Sequence, residues 1–284
     1  MLAPAKIGIV GTGFIGLGLA VALESMKTLT LSAILTRRDT GSIDSRHRDK
    51  LTTSLNRLID QSDLIVECTG DAIYATEIVD RVLSAGRPIM TMNSEFHVTT
   101  GSYFTDRGVL TESQGDQPGS IAALAEQARE MGLEPVVYGN RKGFYNPDPT
   151  LEQMQYWAAA QGISLRQVTS FTDGTKIQIE AALVANGLGA RIAQNGLLAL
   201  EADDIQSGGM ELARHAERLG APISDYVLAP KAPPGVFLVV KADARHHSAL
   251  KYLKLGDGPY HVLAQNYHLC HLEIPITIRR SAVG

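Results

Sequence analysis

The feature that most constrains this chain lies near its start, where KIGIV is followed at once by GTGFIG and then by an apolar run, Leu17 to Lys27, of helical character. A short buried strand, a tight glycine turn and a helix form the context that a G-x-G-x-x-G motif requires. Gly11 permits the turn, Gly13 lets backbone N–H groups approach a pyrophosphate, and Gly16 allows close helix–strand packing, with Phe14 and Ile15 completing the loop. The positive end of the helix then points at phosphate. A second strand, Leu29 to Leu35, follows. The pattern predicts an α/β fold that opens with a Rossmann-type, doubly wound parallel sheet. The competing reading takes Ile7 to Leu23 as a signal-peptide core, but Gly8, Gly11, Gly13, Gly16 and Gly18 dilute its apolar character.

The end of the second strand selects the dinucleotide. An acidic residue there would bond the ribose hydroxyls of NAD, whereas this chain has TRRD, with Thr36, Arg37 and Arg38 in its place. A guanidinium pairs with a phosphate through its planar fork and stacks on adenine through its face, so NADP is the expected cofactor. The plainer alternative is a solvated pair of surface arginines.

Further along, SDLIVECTGD reads as a strand, Ala75 to Ala85 as a helix, and RPIMTMNSEF as the next strand. Ligands of open parallel sheets sit beyond the carboxyl ends of the strands, which brings Thr69, Gly70, Asn93 and Glu95 to the nicotinamide side. Glu95 reads equally well as a solvent-facing loop residue.

Composition narrows the partner. The chain has 284 residues, 44% of them hydrophobic, and a formal net charge of -4 with its cations dispersed. That length allows two cores, and the charge argues against nucleic acid or an anionic membrane, leaving a small-molecule substrate. Cys68 and Cys270 stand far apart with no metal spacing around them, so neither a disulfide framework nor a metal is expected, and a cytoplasmic setting is the simplest.

In the second half, GDQPG opens a helix ending near Gly132, with Asp116 as a substrate contact or a helix cap, and Glu134 to Tyr138 forms a strand. GNRKGFYNPDP reads as a loop carrying Lys142, a plausible place for a substrate contact. The stretch SFTDGTKIQIEAALVANGLG then reads as one helix capped by Ser170 or Thr172. Asp173, Lys176 and Glu180 share one face at spacings of three and four, while Ile177, Ala181, Val184 and Leu188 form an apolar neighbour face. An exposed Lys176–Glu180 pair would contribute only about 0.3–0.5 kcal/mol, so charges on so apolar a helix point instead to a cavity where Lys176 passes a proton to a substrate oxygen.

GDQPG, SFTDGTK with ANGLG, and LGDGPYHVLAQNYHLCHLEIPITI together resemble the homoserine-dehydrogenase-like oxidoreductases, the group that includes 1-deoxy-D-xylulose 5-phosphate reductoisomerase-like enzymes. The likeness runs from Lys6 nearly to the end. It implies that Gly11, Gly13 and Gly16 bind cofactor phosphates, that Arg37 and Arg38 meet the 2′-phosphate, and that Lys176 is the proton donor with Asp173 beside it. It also implies that the chain end returns toward the nucleotide domain, carrying His261, His268, His271 and Glu273, of which His268 is a second proton-transfer candidate. A metal site from His268, Cys270 and His271 and plain core histidines are the other readings of these residues. Longer members append a SAF-type domain, so this chain reads as a short member or a trimmed form. It departs from homoserine dehydrogenases at Asn93-Ser94-Glu95, where they carry Asn-Lys, and the reductoisomerase metal-binding carboxylates are not evident.

The resulting expectation is a dinucleotide domain at 1–118, completed by 259–284, around an α+β substrate domain at 119–258. PPGVFLVVKAD supplies a sheet edge for a homodimer or larger assembly. The expected activity is NADP(H)-dependent hydride transfer to or from a carbonyl carbon of a small polar compound, a phosphorylated one among the candidates. Reductoisomerase chemistry and a non-catalytic NADP sensor are the alternatives.

Overall fold

A computed structural model of the protein describes residues 3–283. The chain forms two compact units, one reaching Gly119 and resuming at Leu269, the other Ser120–His268.

The first unit begins β1 (Ala5–Val10), α1 (Phe14–Glu24), β2 (Leu29–Leu35), β3 (Leu51–Thr52), α2 (Leu55–Gln61), β4 (Leu64–Glu67) and α3 (Ala72–Ser84). It continues with β5 (Ile89–Thr91), α4 (Ser94–Thr99), β6 (Leu110–Glu112) and the start of α5 (Gln117–Glu130). Its six strands are parallel in the order β3-β2-β1-β4-β5-β6, so the strand order reverses between β1 and β4, where such sheets bind their ligands. Alternation along the strands feeds two cores. Ile7, Ile9, Ile34, Val66 and Met90 pack against Leu19, Ala20 and Leu23 of α1, whereas Val10, Ala33, Leu35, Ile65 and Ile89 pack against Leu58 of α2 and Ile78, Val79 and Val82 of α3. Both faces are covered, which is why these strands are apolar throughout.

The second unit contains most of α5, then β7 (Glu134–Lys142), α6 (Leu151–Gln161), α7 (Leu165–Thr172), α8 (Thr175–Leu188) and β8 (Leu200–Glu201). Next come α9 (Ile205–Leu219), β9 (Ile223–Leu228), β10 (Val236–Lys241), α10 (His247–Tyr252) and β11 (Tyr260–Gln265). Its five-stranded sheet has the order β11-β10-β7-β9-β8. The β11–β10 and β10–β7 pairs are antiparallel, and the β7–β9 and β9–β8 pairs are parallel. Phe237 and Val239 face Leu212, Ala213 and Ala216 of α9, while Val236, Leu238 and Val240 face Ile121, Ala125 and Val184 of α5 and α8.

The chain then returns to the first unit as α11 (Ile274–Val283). Ile274 and Ile278 join the core beside α1, and the Thr277 hydroxyl accepts a bond from Gln114 N at 2.9 Å.

Four expectations are corrected here. PPGVFLVVKAD supplies no edge, because β10 lies between β11 and β7; burial on both faces, not exposure, explains its continuous apolar run. Residues 259–268 belong to the second unit, since β11 pairs along β10 from Tyr260–Lys241 to Gln265–Val236. RPIMTMNSEF is a strand only at Ile89–Thr91, because Asn93 Oδ1 accepts from Phe96 N at 3.1 Å and caps α4. Finally, Ser170 and Thr172 are not caps but lie within α7; the helix breaks at Asp173 and restarts after Gly174, whose φ of +86° suits glycine.

Candidate functional site

The glycine turn has one physical reason for each glycine. Gly11 has a φ of +112°, and a side chain on Gly16 would place its Cβ 2.2 Å from the Gly11 carbonyl oxygen. Gly13, by contrast, has nothing within 4 Å of where its Cβ would stand. The position is open and lies at the N-cap of α1, so nothing obstructs the approach of a ligand to the backbone there. Ile15 packs onto the core beneath the turn, and Phe14 is exposed above it.

At the end of β2, the buried Thr36 hydroxyl lies 3.1 Å from the Thr12 hydroxyl. Arg38 donates from one guanidinium nitrogen to the Thr12 carbonyl oxygen at 2.6 Å and to Thr12 Oγ1 at 2.7 Å. Arg37 turns the other way, to Asp71 Oδ2 at 3.0 Å and over the Tyr74 ring at 4.2 Å.

The ends of β4 and β5 hold a group that the motif did not single out. Glu67 is wholly buried; its Oε1 accepts from Thr69 N at 2.6 Å and from the Thr69 hydroxyl. Desolvation pushes its carboxyl above the usual range, partly offset by the Thr69 bonds. The Asn93 amide lies beside it and favours the charged form without reaching full hydrogen-bond geometry. Desolvation also raises the neighbouring Cys68 thiol, which favours its neutral form. Glu95 lies in the first turn of α4, and Gly70 takes a φ of +66° just before the α3 cap. His97 Nε2 sits 2.8 Å from Glu112 Oε2, which also accepts from Thr91 Oγ1 at 2.8 Å. Burial holds the imidazole down to about 4 against the charge of Asp116, so the contact is a hydrogen bond that the neutral ring donates to the carboxylate. Asp116 accepts from the Ser94 hydroxyl at 2.6 Å and immediately precedes α5.

The returning segment packs on the glycine turn. The His271 ring meets Phe14 edge-on at 5.2 Å and lies over Gly18, where an added Cβ would come within 2.7 Å of it. The return of His271 to this unit agrees with what the resemblance implied, while its seat on Gly18 has no counterpart in the sequence reading. Glu273 accepts from Leu269 N at 2.7 Å. The two other expected histidines lie in the second unit. His261 is buried in β11 with Nδ1 2.9 Å from the Leu255 carbonyl oxygen, as a core histidine would be, and His268 follows β11 in an irregular stretch. Among the described residues no group of three His, Cys, Asp or Glu is placed to hold a metal ion, and no helix is long and apolar enough to cross a membrane.

Within the second unit, β7, α8 and the C-cap of α7 bring four expected residues together. Lys176 Nζ lies 3.7 Å from Glu180 Oε1, with side chains only 13% and 5% exposed. Asn140 of β7, which sequence reasoning passed over, donates from Nδ2 to Glu180 Oε2 at 3.0 Å. Lys142 ends β7 instead of lying on a loop, because the parallel pairing with β9 continues as far as Leu228. Its amine donates to the Phe171 carbonyl oxygen. Desolvation lowers Lys142 below the usual lysine value, with Glu180 and Asp173 pulling the other way. Asp173 is the C-cap of α7, not a residue of α8, and its Oδ1 accepts from Thr175 N at 2.8 Å. The result is two amines, two carboxylates and a carboxamide, of which Glu180 and Asn140 are buried.

Comparison with known proteins gives two family matches. The family described as "Oxidoreductase DRL, catalytic domain" matches residues 115–274, and "Homoserine dehydrogenase, NAD binding domain" matches residues 11–103. Among solved structures, a homoserine dehydrogenase from Thiobacillus denitrificans aligns over 97% of this chain and 72% of its own, at 15% identity and a TM-score of 0.54. That of S. aureus aligns over 99% and 76%, at 14% identity and a TM-score of 0.51. The likeness to both is one of fold. The yvaA protein of Bacillus subtilis aligns over 53% of this chain and 47% of its own, at 17% identity and a TM-score of 0.38, so this chain spans about half its length. No curated protein matches the sequence.

Proposed function

The chain belongs to the DRL oxidoreductase family, and from that premise we propose that it is an NADP(H)-dependent enzyme that reduces a carbonyl group of a small polar compound, or oxidises the corresponding alcohol. The nicotinamide cofactor supplies or receives the hydride. Gly11, Gly13 and Gly16 with the N-terminus of α1 would hold its pyrophosphate, Arg37 and Arg38 its 2′-phosphate, and Thr69, Gly70, Asn93 and Glu95 the nicotinamide side. The open position at Gly13 and the arginines after β2 are the features that support this fit.

The observation that carries the catalytic reading is the Lys176–Glu180 pair, 3.7 Å apart and nearly withdrawn from water. Hydride addition to a carbonyl carbon leaves negative charge on oxygen, which must be matched by a proton. Lys176 is read as the donor: its ammonium hydrogen-bonds the carbonyl oxygen, yields a proton as the C–H bond forms, and recovers one from solvent. Glu180, oriented by Asn140, keeps the amine charged between turnovers. Lys142 and Asp173 are read as substrate contacts, the first suited to an anionic group and the second to hydroxyls. His268 is retained as a second proton-transfer candidate.

The test is Lys176→Met. NADPH binding by calorimetry should be retained while turnover on a panel of polyhydroxylated and phosphorylated carbonyl compounds falls by about 10²–10⁴. Unaltered turnover would remove Lys176 from the mechanism, and absent NADPH binding in the unsubstituted protein would remove the cofactor assignment.

A further inference from the structure

The two arginines after β2 are not equivalent. Arg38 is buckled to the glycine turn through both Thr12 oxygens, and its backbone N–H donates to Thr36 Oγ1 at 3.1 Å. Arg37 has no such anchor: its side chain is 60% exposed and is held by Asp71 Oδ2 at 3.0 Å and the Tyr74 ring.

Asp71 divides its carboxylate between two tasks. Oδ1 accepts from Tyr74 N at 3.1 Å and caps α3, while Oδ2 takes Arg37. The Tyr74 N–H, and after it Arg37, hold the carboxyl below its usual range. A guanidinium that pairs with a carboxylate fits a phosphate in the same way, so a 2′-phosphate arriving at Arg37 competes with Asp71 for it. A cofactor lacking that phosphate does not.

We propose that Asp71 is a specificity-determining residue: it occupies Arg37 when no cofactor is bound, yields it to the 2′-phosphate, and thereby limits how strongly the site prefers NADP over NAD. This rests on the reading that the glycine turn binds a nicotinamide dinucleotide. The ion pair is exposed and therefore weak, so the restraint it imposes is small and its release measurable.

Asp71→Asn separates the two tasks, because the asparagine oxygen still caps α3 while its amide cannot accept from Arg37. Asp71→Ser does the same by another cap, should the first variant fold poorly. Binding of NADPH and NADH is measured by isothermal titration calorimetry on the intact protein, on both variants, on Arg37→Ala and on Arg37→Ala/Asp71→Asn. The expected result is NADPH affinity raised about two- to fivefold by either Asp71 variant, NADH affinity unchanged, and no gain from Asp71→Asn once Arg37 is gone. Unchanged or weaker NADPH binding in both variants overturns the proposal, as does an equal gain for NADH. A gain that survives the loss of Arg37 also overturns it, since that would be plain charge repulsion by Asp71. An unsubstituted protein that binds neither dinucleotide rejects the cofactor reading itself, and the proposal with it.

Discussion

Asn140 Nδ2 donates to Glu180 Oε2 at 3.0 Å, fastening a buried carboxylate on α8 to the central strand of the second sheet. The other oxygen of that carboxylate faces the Lys176 amine. Glu180→Gln retains the shape and removes the charge, so the Lys176 ammonium loses the carboxylate that faces it and gives up its proton more readily. The alkaline limb of the pH–rate profile should move to lower pH. An unmoved limb would mean that Glu180 does not set the proton affinity of the donor.

Gly13 and Gly16 predict opposite readouts from the same chemical change. Gly16→Ala drives a methyl group to 2.2 Å from the Gly11 carbonyl oxygen, and it should destabilise the first unit by about 1–3 kcal/mol, read as a lower melting temperature. Gly13→Ala meets only open space, and it should leave the melting temperature nearly unchanged while weakening NADPH binding. Full NADPH affinity in Gly13→Ala would place the pyrophosphate elsewhere.

Glu67 gives the first unit a pH dependence of defined sign. Its carboxyl is raised above the ordinary value of 4.5, first by desolvation, so the folded state binds more protons than the unfolded one above that pH. Its contribution is fully present below 4.5 and is lost as pH rises through the folded-state value. Glu67→Gln lacks this titration, so its stability relative to the unsubstituted protein should improve from pH 4.5 toward neutrality in urea unfolding. A difference constant with pH would show that Glu67 has the same proton affinity in the folded and unfolded states.

The dinucleotide half was legible because its signal is local. A strand, a three-glycine turn and a helix are contiguous, and Gly11 and Gly16 answer constraints within the motif, whereas Gly13 stands in open space. The following segment shows where local reading fails. Asn93 continues an apolar run and reads as strand, yet its side chain accepts the Phe96 N–H and starts a helix. In the same way, Gly174 divides what reads as one amphipathic helix, and a Cβ there would also meet the Tyr145 ring at 2.8 Å, a residue far back in the chain. The run VFLVVK looks alike as an exposed edge or a buried centre; only its pairing with β7 and β11 separates the two. Glu67 was overlooked because nothing in VECTG announces that its carboxylate folds back onto Thr69.

By itself, the sequence determined the parallel nucleotide sheet, the arginines after β2, and the Lys176–Glu180 spacing, because each depends on residues close enough in the chain to meet within one turn or one strand–turn–helix unit. Tertiary structure alone decided that Asn140 orients Glu180, that Lys142 ends a strand, that Asp71 occupies Arg37, and that His271 rests on Gly18. Those contacts join residues distant in sequence, and their partners are chosen by sheet order and helix packing, which no local pattern encodes.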